Sequence, residues 1–298
     1  MGHSHGHSHK GETSGKRLFI TMLLNFSITV AEIIGGVISG SLSLISDAMH
    51  NFSDGIAVII SYIAIRLNKK PKDYKFTFGY KRAEILAAVF NASVLIGISL
   101  YLFFEAYERF ANPEPIKGGI MIIVASVGLL ANVAGTLLLK SGAKENMNIR
   151  SAYLHLFSDA VSSVGVIIGG VFIYYYDIYW IDPVITVLIS LYIIKESLEI
   201  VKEAIQILMM AAPSEIQIKK IEEALKQVKG IEGIHHVHFW RVNEKESHFE
   251  AHVKVEDMPV SKTESILREV EKLLREKFDI GHVTLQFECC LCESEDLV

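Results

Sequence analysis

Two segments of the sequence repeat one spacing of side chains that bind metals: His50-Asn51-Phe52-Ser53-Asp54 and His155-Leu156-Phe157-Ser158-Asp159. Residues four apart on an α-helix stack on one face about one turn from each other. Each His-x-x-x-Asp therefore sets an imidazole beside a carboxylate. The two copies together offer two nitrogens and two oxygens, a full tetrahedral set for zinc at about 2.0–2.2 Å. Two carboxylates also neutralise a dication, which lowers the cost of burying the set. One such pair read alone is equally a helix–helix hydrogen bond or an internal ion pair; its duplication favours the metal. Asp47, one turn before His50, suits a gate, a proton relay or a packing contact.

Both motifs lie in oily surroundings. The 298 residues are 50% hydrophobic and only 21% charged, with a mean hydropathy of +0.34. Crossing the hydrocarbon core of a bilayer takes about 20 mainly apolar residues. Six stretches qualify: 17–38, 43–65, 83–107, 117–139, 151–176 and 180–203. The first is too long, and too polar at Asn25 and Glu32, for a cleaved signal peptide. A charge at bilayer centre costs about 2.5–3.5 kcal/mol on insertion scales, so Asp47, His50, Asp54, His155 and Asp159 mark function. For Asn25, Glu32, Asn91 and Asn132, polar packing between helices is the expected role. Gly35-Gly36 and Gly165/Gly169 fit close helix approach. Arg66, Lys69, Lys70, Lys72, Lys75, Lys81 and Arg82 crowd one connection, while 39–42 and 177–182 carry no cation. The positive-inside rule then places both termini in the cytoplasm of a multi-pass membrane protein.

Charge changes near residue 212. Residues 1–212 sum to +1 and residues 213–298 to −6. Neither part is basic, which argues against nucleic acid as a partner. The expected layout is a disordered His-rich leader over 1–15, a six-helix transmembrane domain over 16–210, a small α+β domain over 211–290, and an acidic tail over 291–298. In the third part a helix over 214–229 capped by Ser214, strands at 234–242 and 248–256, a helix at 261–277 and a strand at 282–288 give the order αββαβ. This predicts a ferredoxin-like module with its helices over one sheet face.

Strand alternation collects His252, His282 and Glu288 on one sheet face, an N/O set suited to zinc, or else an ordinary polar face or dimer interface. His236, His238 and His248 read as surface histidines. Cys289 and Cys292 form a Cys-x-x-Cys, which in a reducing compartment suggests soft-metal binding completed from elsewhere, conceivably by the neighbouring subunit's leader. In the leader, His3, His5, His7 and His9 suit weak metal capture.

The conjunction of both His-x-x-x-Asp motifs, six spans and an αββαβ tail resembles the cation diffusion facilitators. The likeness covers roughly residues 15–290. It includes Ser46-Asp47-Ala48, Phe78-Gly79-Tyr80-Lys81-Arg82-Ala83-Glu84 and His235-His236-Val237-His238-Phe239-Trp240. It implies a homodimer that exports a divalent cation from the cytosol in exchange for protons, and the two-histidine, two-aspartate set resembles the zinc branch. Zinc is then the substrate, and a regulator if the tail also binds it. The resemblance adds His235 to the tail set, although simple alternation groups it with Val237 and Phe239. A second metal site seen in some members between spans two and three is expected to be absent, because 69–82 has no His or Cys and Asp73 is its one acid. Cadmium, cobalt or iron(II) are rival cargoes, since affinity alone does not exclude them from N/O sites. A metalloenzyme lacks support, as no His-Glu-x-x-His occurs. A sensor without transport would not need ligands in two spans.

Overall fold

A computed structural model describes residues 9–140, 147–244, 246–289 and 296–297. Six long helices come first: α1 His9–Ser39, α2 Leu42–Asn68, α3 Ala83–Ala111, α4 Gly118–Leu139, α5 Met147–Tyr176 and α6 Ile181–Leu208. Each covers one expected span. Four of them, α2 to α5, are long and apolar enough over their described residues to cross a membrane. α6 carries Lys195, Glu196, Glu199, Lys202 and Glu203 in its second half, which dilutes its apolar run. Helix α1 starts at His9, inside the leader expected to lack regular structure. Extending an established helix adds a hydrogen bond per residue without a new nucleus.

The described chain falls into two compact units: Met1–Tyr62 with Phe90–Ile200, and Ile63–Val89 with Val201–Val298. This division cuts across the linear boundary near 210, because the ends of α2, α3 and α6 belong with the tail.

In the first unit, many outward positions are apolar, while the buried residues include many polar ones, among them Glu32, Asp47, Asn51, Asn132, Asp159 and Asp182. Leu44, Ile116, Met121, Ala125, Val166 and Ile173 form its main core cluster. Small residues let helices touch. A Cβ at Gly35 would lie 2.6 Å from Val124, and one at Gly169 would run into Ile185. Gly165 departs from expectation: a Cβ there meets nothing within 4 Å.

The second unit holds α7 Ile218–Leu225, β1 Gly233–Arg241, β2 Ser247–Lys254, α8 Val260–Phe278 and β3 His282–Glu288. The sheet order is β1-β2-β3. β1 and β2 form an antiparallel hairpin, closed where Asn243 Oδ1 accepts from the Glu246 amide at 2.8 Å. β3 runs parallel to β2, as the crossover through α8 allows. Leu225, Val237, Phe249, Val253, Val270 and Leu274 are among the core residues between the helices and one sheet face. α7 is shorter than the expected 214–229. Gln217 holds its N-cap position, and the Ser214 hydroxyl donates to Glu215 instead of capping the helix. Beyond β3, the Asp296 and Leu297 carbonyls accept from the His236 and Val237 amides at 3.2 and 2.8 Å. The end of the acidic tail thus lies along β1.

Candidate metal centre

The two His-x-x-x-Asp motifs meet. His50 Nε2 lies 3.6 Å from Asp54 Oδ2 within α2, and His155 Nε2 lies 3.5 Å from Asp159 Oδ2 within α5. Between the helices, His155 Nε2 lies 3.3 Å from Asp54 Oδ2. The rings of His50 and His155 meet edge-on with centroids 5.9 Å apart. Ligand atoms of His50, His155 and Asp159 all fall within 4.8 Å of one another. A tetrahedron drawn at about 2.0–2.1 Å around zinc has edges of about 3.3–3.4 Å. Three of the pairings therefore already sit near that spacing.

Polar satisfaction points the same way. Asp54 Oδ2, Asp159 Oδ2 and His50 Nδ1 are buried atoms with no hydrogen-bond partner. A buried carboxylate oxygen without a donor is costly unless a cation faces it. Exposure is uneven across the cluster: the His155 side chain is 37% exposed and that of Asp159 is 3% exposed.

Neighbouring polar residues tie α2 and α5 to each other and to adjoining helices. Ser162 on α5 donates to Asp47 Oδ1 at 2.7 Å, which makes Asp47 a bridge from α2 to α5 and places it outside the ligand cluster. Asn51 Nδ2 donates to Glu32 Oε2 at 3.2 Å, and Ser53 Oγ donates to Asn91 Oδ1 at 3.1 Å. Asn132 is fully buried on α4.

Sequence reading missed Asp182. This fully buried carboxylate accepts from Ser41 Oγ at 2.6 Å, Leu42 N at 2.7 Å, Ser43 Oγ at 2.6 Å and Ser43 N at 3.2 Å. It caps the first turn of α2, where the helix dipole also favours an anion. The local signal, an Asp before Pro183 at the start of α6, reads as a cap for α6 itself.

A second cluster lies on the sheet face away from α7 and α8. Glu288 Oε2 is 3.2 Å from His235 Nε2, and Glu288 Oε1 is 2.9 Å from His252 Nδ1. The three residues offer one ligand atom each within 4.8 Å, a three-ligand donor set that fits zinc with one position left for water or another ligand. Gln286 Nε2 donates to Glu288 Oε1 at 2.7 Å and orients it.

His235 reaches this face through a β-bulge. The pairing of β1 with β2 shifts between His235 and His238, and His236 takes a left-handed φ of 51°. The extra residue reverses the alternation, so His235 pairs with His252 while Ile234 and Val237 stay in the core. The same bulge brings His236 to His238, Nε2 to Nε2 at 3.3 Å, and sets its ring 4.7 Å from that of His252.

His282 must be removed from this set. It pairs in register with His248, ring centroids 4.3 Å apart, at the opposite end of β3 from Glu288. Six residues of strand separate the two by about 20 Å. Alternation assigns a face but not a position along the strand. Cys289 follows Glu288 and is exposed. Cys292 and His3, His5 and His7 lie outside the described residues, and His9 begins α1.

The cation efflux transmembrane domain matches residues 18–209, and the cytoplasmic domain of cation efflux proteins matches residues 213–290. The chain belongs to the cation diffusion facilitator family. It is similar to the metal cation efflux system protein CzcD of Cupriavidus metallidurans, 38% identical over 296 residues, or 99% of this chain and 93% of that protein. It is also similar to a protein of Bacillus subtilis named a cadmium, cobalt and zinc/H(+)-K(+) antiporter, 37% identical over 286 residues, 95% and 92% of the two chains. The zinc transporter ZitB of Escherichia coli is 33% identical over 301 residues, 99% and 95% of the two chains. This facilitator is a multi-pass membrane protein that moves divalent metal cations, and it is a transporter, not an enzyme.

Proposed function

We propose that this facilitator is a zinc/proton antiporter that exports zinc from the cytosol, with His50, Asp54, His155 and Asp159 as its transport site. The observation that carries the reading is the contact of Asp54 with His155 at 3.3 Å, which joins two spans into one N/O cluster at zinc-like spacing. A ligating imidazole must be neutral, so arriving metal displaces any proton from His50 or His155. Asp47, held by Ser162, acts in this reading as a coupling contact between α2 and α5.

Both termini face the cytosol, in keeping with the cations of 66–82 and the positive-inside rule. The tail works as a homodimerisation domain, and its His235, His252 and Glu288 hold a regulatory zinc. Cys289 and Cys292 and the leader histidines add weaker capture. Cadmium and cobalt are the next cargoes to test, because relatives carry them in their names and N/O tetrahedral sites accept them.

The deciding experiment is zinc flux into proteoliposomes under an imposed proton gradient, comparing wild type with Asp159→Ala. The expected result is gradient-directed zinc movement that the variant loses. Equal flux through the variant removes the proposed path. No flux through folded, oriented wild type favours a sensor or another cargo.

A further inference from the structure

The connection between α2 and α3 is the most basic segment of the chain, and neither metal cluster uses it. Residues 66–82 carry seven Lys or Arg side chains against the single acid Asp73. Lys69, Lys70, Lys72 and Lys75 are all exposed, and none has a carboxylate partner among the described residues. Asp73 does not neutralise them. Its Oδ1 accepts from the Lys75 and Phe76 amides at 2.8 and 2.7 Å, which folds the tip into a turn.

That turn displays aromatic rings beside the cations. Tyr74 is fully exposed, and Phe76 is 39% exposed. Phe76 packs on Tyr80 with centroids 4.7 Å apart, and Lys75 Nζ lies 5.6 Å over the Phe76 ring. The far side of the segment is engaged differently: Lys81 pairs with Glu246, and the Phe78 ring lies 5.6 Å from that of His248. The base of the connection is therefore fixed to the tail domain, while its tip presents unneutralised charge and amphipathic rings.

Position decides what meets this tip. Lys69 and Lys70 directly follow α2, and Arg82 directly precedes α3, both membrane spans. Lys69, Lys70 and Arg82 therefore directly flank two spans. Clustered Lys and Arg next to a span attract anionic headgroups, and tyrosine suits the interface because one end is apolar and the other wet.

We infer that the exposed tip of the α2–α3 connection, Lys69, Lys70, Lys72 and Lys75 with Tyr74, is a binding surface for anionic phospholipid in the adjacent leaflet. A lysine near a charged surface contributes on the order of fivefold in affinity. Four of them give on the order of several hundredfold at low salt, and much less once the Debye length falls to about 8 Å.

The test titrates the full chain in detergent with phosphatidylglycerol and, separately, with phosphatidylcholine, counting bound lipid by native mass spectrometry. Wild type is expected to prefer phosphatidylglycerol at least tenfold, and to lose much of that preference as salt rises. Replacing Lys69, Lys70, Lys72 and Lys75 together by Gln should abolish the preference, while Lys81→Gln should leave it intact, since Lys81 already faces Glu246. Equal binding of the two lipids by wild type overturns the inference, as does a salt-independent preference. Neither result requires a variant to fold. A full preference retained by the four-Gln variant overturns it too.

Discussion

Replacing Asp182 by Ala removes a carboxylate that four donors on the first turn of α2 share. Hydrogen bonds to a charged group contribute about 1.5–3 kcal/mol each, and a helix cap about 1 kcal/mol. The two hydroxyl contacts at 2.6 Å belong to the stronger class. Full additivity does not hold, because Ser41 Oγ and Ser43 Oγ are 3.2 Å apart and can satisfy one another once the carboxylate is gone. The Leu42 amide has no such recourse: its bond to Asp182 Oδ2 at 2.7 Å is lost in a buried setting. A loss of about 3–5 kcal/mol follows, or about 10 °C in melting temperature for a unit of this size. Asp182→Asn keeps one acceptor oxygen but turns an amide donor toward other donors, so about half of the loss is expected.

The assay is thermal unfolding of the purified full chain, with zinc flux measured alongside it. Because α2 carries Asp47, His50 and Asp54 within its first four turns, a frayed start should lower flux as well as stability. A double-mutant cycle isolates the cause. Asp182→Ala and Ser43→Ala should couple by about 1 kcal/mol or more, as residues that share a buried hydrogen bond do. A melting temperature for Asp182→Ala within about 2 °C of wild type, with no coupling to Ser43, would refute the assignment and leave Asp182 as a cap for its own helix.

Two further outcomes separate the histidines of the tail. With the transport site disabled by Asp159→Ala, His252→Ala should weaken zinc binding to the full chain at least tenfold by calorimetric titration, whereas His282→Ala should not change it, since His282 pairs with His248. Burial, with His282 and Lys81 beside it, holds the His248 imidazole below its ordinary value of 6.5. The folded chain then binds fewer protons than the unfolded one as pH falls below 6.5, so stability should drop on the acid side of that value and stay level on the alkaline side. His248→Gln should flatten this acid slope, read from the fluorescence of Trp240, whose ring lies 5.5 Å from His248; an unchanged slope assigns the acid sensitivity elsewhere.

What the sequence discloses follows from the kind of periodicity involved. Apolar runs of span length and a motif of period four are local properties of a helix, so the six long helices and the pairing of His with Asp within α2 and α5 were legible. The order αββαβ was legible for the same reason, as β2 alternates throughout and β1 does so beyond its bulge at His236. His235 is different. Its face depends on one inserted residue, His236, whose left-handed φ no pattern of residue types announces. The error over His282 has a separate origin: alternation repeats every two residues and is blind to the length of strand between His282 and Glu288. Asp182 was hidden because its partners lie 139 to 141 positions away. A buried acid whose donors come from a distant turn looks, in sequence, like a cap for the helix on which it sits.

The two clusters also differ in how far their own side chains satisfy one another, and that difference bears on their tasks. In the tail, Glu288 lies within hydrogen-bonding distance of both His235 and His252, at 3.2 and 2.9 Å, so the three residues form a closed set in themselves. In the spans the corresponding distances are 3.3 to 3.6 Å, and two carboxylate oxygens there have no donor at all. Ligands held apart at metal spacing gain more from a cation than ligands that have already collapsed onto each other, and they gain it without rearranging. A site poorly satisfied by its own side chains fits the transport role proposed for it. The tail set, closer to satisfied by its own side chains, fits the regulatory role proposed for it.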